Sequence, residues 1–158
     1  MEDSAELIAQ LKGYIRFLEE LRETDSDVWS APIGEGKWSI HDIVSHIMMW
    51  DKNFLEKNLS RMEAGESVPL KEDSDFQTFN DRAIVLGRKL NKIQLIDKAV
   101  RLRTELTTHL SRLPSEAFST NFQSGNNMTL ATFLYQMFVS HDKHHTDQII
   151  GYLSLHHI

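Results

Sequence analysis

The chain has 158 residues, 17 basic and 23 acidic, for a formal net charge of −6, and its 41% hydrophobic residues suit one globular domain over residues 1–158 rather than a disordered tail. A pI of about 5.7 argues against nucleic-acid or anionic-membrane partners, because phosphate binding needs clustered Lys and Arg. The absence of cysteine excludes disulfides, thiolate zinc sites, Cys nucleophiles and iron–sulfur clusters, so any transition-metal site must be built from His, Asp and Glu.

Leu7, Ile8, Leu11, Ile15, Leu18 and Leu21 recur at steps of three and four and predict an amphipathic helix over about 3–24. Pro32, Gly34 and Gly36 mark a connection over 25–37, after which Ser39 is placed to cap a second helix with Asp42 near its positive end. Ile40, Ile43, Ile47, Trp50 and Phe54 form the buried face of that helix, and Met48 falls opposite it. A polar loop follows around Gly65 to Asp73, then a helical pattern from Phe76 to Lys89 that breaks near 87–91. The next helix turns Ile93, Ile96, Val100, Leu106, Leu110 and Leu113 inward and stops at Pro114, and its basic run from Lys98 to Arg103 reads as a solvated face. A loop with Ser124, Gly125, Asn126 and Asn127 leads to Thr129, a second candidate N-cap, for a last helix running to about Ser154.

No segment alternates with period two. The fold expected is all-α, an antiparallel four-helix bundle (up-down-down-up or up-down) with a short extra helix before the third. No apolar run approaches the roughly 20 residues that span a bilayer. The acidic first residues lack a signal peptide's basic and apolar regions, so the expected location is cytoplasmic.

Eight histidines carry the chemistry. His141 and His145 are four residues apart on the last helix, so both project from one face and can reach one ion. They fall near the centre of the apolar arc of that helix, whereas His144 lies at its edge. Such a pair on its own is more often two core histidines bonding across a core than a metal site; a third ligand changes the balance. His46 sits at the border of the apolar arc of the second helix, with Asp42 one turn earlier. His41 lies on the polar side and His156 and His157 at a fraying end, so none is given a role. His109 reads as an edge histidine packing its ring.

The pattern Trp38, Ser39, Asp42, His46, followed about 95 residues later by His141, His145 and Gln148, resembles the DinB-like superfamily of four-helix-bundle metalloproteins, as does the mid-chain pair Phe79 and Asn80. The resemblance implies that His46, His141 and His145 bind a divalent transition metal such as Zn, Ni, Fe or Mn, and that the chain is a homodimer. It also implies a small-molecule substrate, with thiol-dependent transferases and isomerases and hydrolase-like detoxification proteins among the relatives, and hence a thiol cosubstrate as one expectation. Non-catalytic metal binding with a stress association is the alternative. Three neutral imidazoles leave coordination positions open, as in catalytic sites. Asp42, Asp142 and Asp147 are candidates to orient a ligand by accepting its second N–H, Asp42 foremost, and Gln148 is a further one. With ordinary imidazole pKa values, metal affinity should fall steeply below roughly pH 6, whereas a carboxylate site would hold its metal to nearer pH 4. Trp29, Trp38, Trp50, Met48 and Met49 supply the apolar surface expected to form the dimer. Glu-x-x-His pairs, H-E-x-x-H, a P-loop, a dinucleotide fingerprint and G-x-S-x-G are all missing.

Overall fold

The computed structural model describes residues 4–63, 76–121 and 128–156, and most of the two loops expected around Gly65 to Asp73 and Ser124 to Asn127 lies outside them. The described residues are all-helical, with isolated bridges Pro32 to Ser39 and Asn121 to Thr129 in place of strands. Helix α1 is Ser4–Glu20, tightened into a 3₁₀ turn over Leu21–Glu23, and α2 is a short Ser26–Ser30 helix inside the expected connection. Helix α3 is Ile40–Phe54, continued by a π-helical turn Leu55–Leu59 and Ser60–Glu63. Helices α4 (Phe76–Gly87), α5 (Lys92–Ser111) and α6 (Ser115–Phe118) follow. Helix α7 is Leu130–Leu134, a π-helical turn Tyr135–Val139 and Ser140–Ser154. Among the described residues no helix is long and apolar enough to cross a membrane.

Helices α3, α5 and α7 begin where side chains can satisfy their free N–H groups. Ser39 Oγ accepts from the Asp42 amide at 3.1 Å, and Thr129 Oγ1 from the Thr132 amide at 3.2 Å. Helix α5 opens with a reciprocal capping box between Asn91 and Gln94, so that its N-cap is the last residue of the expected break.

Apolar stripes build two clusters. One gathers Tyr14, Leu18, Ile40, Ile43, Ile47, Leu95, Ile96, Ala99, Ile149 and Tyr152; the other gathers Leu7, Leu11, Phe54, Leu106, Leu110, Leu130, Leu134 and Phe138. Helices α1 and α7 therefore pass from the second cluster into the first, and α3 and α5 from the first into the second. Between the clusters every long helix meets one buried cation. Arg103 on α5 is fully buried and donates two hydrogen bonds to Asp51 on α3 (2.8 and 3.0 Å) and two to Asp142 on α7 (2.7 and 3.1 Å). It also donates to the Leu11 carbonyl on α1 at 3.1 Å and lies 4.6 Å from the centre of the Tyr14 ring. Burial alone works against its charge, and Asp142 and Asp51 more than reverse that; burial raises Asp51 to about 6 despite Arg103.

Three expectations change here. Arg103 is not on a solvated face, because its residues in register, Ile96, Ala99, Leu106 and Leu110, carry it into the core. Met48 is 1% exposed rather than opposite the core, since α2, α4, α5 and α7 all pack on α3 and leave its first three turns no free face. Ile93, in the opening turn of α5, is 48% exposed instead of inward.

Helix α4 is fixed to α3 by a close approach of backbone. Gly87 is buried, and a Cβ there would collide with the side chain of Ser45, itself fully buried mid-helix. His41, given no role above, joins these elements: it accepts from Trp29 Nε1 at Nδ1 (2.7 Å), which makes Nε2 the donor to the Gly87 carbonyl (2.8 Å). Gly87→Ala should destabilise the protein by about 1–3 kcal/mol through overpacking, outweighing the gain of up to about 1 kcal/mol in helix propensity. Urea unfolding measures this; a variant as stable as the parent would show that α4 can shift away without loss.

Candidate metal centre

The site lies where α3 and α7 face each other. On α7 the buried stripe runs Phe138, Asp142, His145, Ile149, Tyr152, so His145 points inward and His141 sits half-buried at the stripe's edge. The π-helical turn ends immediately before this segment, and its wider winding leaves the Met137 carbonyl to accept from Trp50 Nε1 of α3 at 3.3 Å. On α3, His46 is one turn past Asp42 and is also buried.

The structure brings His46, His141 and His145 together. His46 Nε2 lies 3.0 Å from His141 Nε2, and His145 Nε2 lies 3.2 Å from that same atom. The rings fan around a common point, with interplanar angles of 90° between His141 and His145, 68° between His46 and His141 and 74° between His46 and His145. Ligand atoms about 2.1 Å from one ion, at angles of about 90–109°, stand about 3.0–3.4 Å apart, so these spacings fit three ligands of one ion. Hydrogen bonding accounts for the contacts less well. The Gln148 amide oxygen is 2.9 Å from His145 Nδ1, which places the proton there and leaves Nε2 a lone pair. His141 Nε2 then faces two other nitrogens, and one proton can bridge only one of those contacts. The three residues can hold a metal ion.

The other expected residues are placed differently. Gln148 stands at His145, as a ligand-orienting group would. Asp42 instead accepts from Arg88 Nε (3.2 Å) and Nη2 (2.9 Å), and Asp142 is taken by Arg103. Asp147 pairs with Lys143 on the surface at 2.8 Å. His144 is exposed, with its ring 5.1 Å from that of His145. Sequence reasoning passed over Asp51 and gave Arg103 to solvent; the available signal was a charge in the three–four register of Ile96, Ala99, Leu106 and Leu110. It also passed over the aromatic surround. Trp38 lies 5.1 Å from the His46 ring, and Trp50 lies 6.5 Å from His46 and 6.4 Å from His141, backed by Phe79 at 5.5 Å.

This surround holds the imidazoles neutral. Burial, then repulsion by His145, brings His46 down to about 4, with Asn80 opposing. Burial, then His145 and His46, brings His141 down to about 3, and burial lowers His145 against the pull of Gln148. Neutral imidazole is the metal-binding form, so the pH expectation shifts downward: protons compete with an ion below the usual imidazole range.

His141→Ala should abolish tight binding of zinc while leaving a cooperative thermal transition, because the apolar clusters do not depend on that half-exposed ring. Calorimetry with added zinc checks it; undiminished affinity would remove His141 from the ligand set. Between pH 8 and 6 the metal affinity of the parent should be nearly flat, with its fall displaced below the ordinary imidazole range. For the metal-free protein the sign is fixed by linkage. Folded-state values below the unfolded value of about 6.5 mean that the unfolded chain takes up protons first, so stability is full above that value and is lost as pH falls through the folded ones. Thermal midpoints from pH 7 to 4 should fall less steeply in His141→Ala than in the parent, and equal slopes would contradict a strained neutral cluster.

The family model described as the DinB superfamily matches residues 11–149, a span that includes all three histidines. No curated protein and no solved structure matches the chain. With the match covering most of its length, and the paired histidines of α7 meeting a third on α3, the chain belongs to the DinB superfamily.

Proposed function

We propose that this protein is a divalent-metal-dependent enzyme acting on a small molecule, with His46, His141 and His145 as its metal ligands. The observation that carries this is the convergence of three imidazole nitrogens, with contacts of 3.0 and 3.2 Å, and, among the described residues, the engagement of Asp42 and Asp142 elsewhere. Asp42 is held by Arg88 and Asp142 by Arg103, so the protein supplies three neutral donors and leaves further positions to water or substrate. An ion bound there would supply Lewis acidity, lowering the pKa of a bound water or thiol. Thiol-dependent S-transfer and detoxifying hydrolysis are the two reactions such chemistry serves best. The chain's own groups hold the site: Gln148 fixes the His145 tautomer, burial keeps the rings unprotonated, and Trp38 and Trp50 limit water around them. An all-imidazole set suits Zn, Ni or Fe and, less well, Mn.

The fold is read in the same proposal as an up-down-down-up four-helix bundle, supported by the opposite directions in which α1 and α7, and α3 and α5, pass between the two apolar clusters. A twofold dimer is also proposed. With Met48 and Trp29 buried in the chain's own core, the apolar surface left for a partner includes Val85, Leu86 and Ile93.

The deep burial of His46 and His145 favours one second reading, a non-catalytic metal-binding protein. Protein purified without an affinity tag should carry a stoichiometric divalent metal, and its bound ion should exchange water and support transfer to an electrophile from at least one of several low-molecular-weight thiols, or hydrolysis of a simple ester or amide. A metal without exchangeable water or turnover would favour the second reading. Failure to bind any divalent ion would sink both.

A further inference from the structure

We infer that Arg103 is a positioning residue for the three-histidine set: through Asp51 and Asp142 it fixes the register of the two helices that supply the ligands. This rests on the metal reading above.

Helix α3 supplies His46 and α7 supplies His141 and His145, yet both are pinned by a cation from α5, which contributes no ligand. Asp142 directly follows His141. At about 100° per residue, both His141 and His145 fall on the same side of Asp142, about 100° and 60° round the helix, so holding Asp142 inward sets the rotation at which both rings face α3. Asp51 does the same for α3, five residues past His46. A ligand set tolerates errors of a few tenths of an ångström, whereas sliding one helix by a single residue moves it about 1.5 Å. Leucine and isoleucine contacts survive small slides because dispersion is not directional. Four charge-assisted bonds from one planar guanidinium, between 2.7 and 3.1 Å long, do not. The Leu11 carbonyl and the Tyr14 ring on α1 hold the guanidinium itself in place.

Stability alone gives little reason for such a network, since buried ion triads exchanged for apolar side chains of similar volume often leave a protein equally or more stable.

The test uses two variants beside the parent: the apolar exchange Asp51→Leu/Arg103→Met/Asp142→Leu, and the nearly isosteric Asp51→Asn. Zinc affinity is measured by competition with a chromophoric chelator, and ligand geometry by the visible absorption of bound cobalt(II). We expect folded variants whose zinc affinity is lower by about 10–100-fold and whose cobalt spectrum is altered, although no ligand has been touched. If the triple exchange does not fold, Asp51→Asn decides. A folded variant with parental affinity and an unchanged cobalt spectrum would overturn the positioning role while leaving the metal reading intact. A parent that binds neither ion would instead overturn the metal reading, and the positioning role with it.

Discussion

A single buried guanidinium governs the centre of this molecule. Arg103 has no access to water, and only two carboxylates, a carbonyl and an aromatic face from three other helices make its charge tolerable there. Removing one partner of such a network leaves an uncompensated buried charge, typically at a cost of about 3–5 kcal/mol, so packings of α1, α3, α5 and α7 that complete it are favoured over those that do not. The apolar clusters above and below supply most of the driving force, but they are made of Leu, Ile and Phe, whose contacts accept many registers.

The histidine site follows the same logic with the sign of the problem reversed. Three imidazoles are packed edge to edge among tryptophans, where protonation of any one is opposed by burial and by its neighbours. The result is a concentration of lone pairs that hydrogen bonding cannot fully satisfy. Asp42 and Asp142 are occupied by arginines, and Asp147 by Lys143. The local field is therefore that of neutral donors, suited to an ion that keeps its full charge.

Asp142 and His141 are adjacent in the chain and serve these two centres separately, one facing the cation and the other the histidines. The π-helical turn just before them changes the winding at this point, which is why the stripe Leu130, Leu134, Phe138 continues into Asp142 rather than into His141. Helix α3 also carries a π-helical turn, at Leu55–Leu59 beyond Asp51. Both ligand-bearing helices thus depart from ideal winding near the layer where they meet Arg103.

The sequence by itself determined the helical class, the long helices with their capping residues Ser39 and Thr129, and the spacing that puts His141 and His145 on one face. These are local properties: a three–four repeat, a hydroxyl before a helix and a four-residue step each involve a few neighbouring residues. Whether Arg103 is solvated or buried, whether Asp42 serves His46 or Arg88, and whether Met48 faces a partner or the core were decided only by the tertiary structure. Periodicity reports which face of a helix is apolar, but a charged residue is buried only if distant residues complete its hydrogen bonds, and those of Arg103 lie 52 and 39 positions away. The convergence of His46 with His141 depends in the same way on two helices far apart in the chain, and so does the depression of their pKa values, because solvent exclusion is a property of the packed molecule.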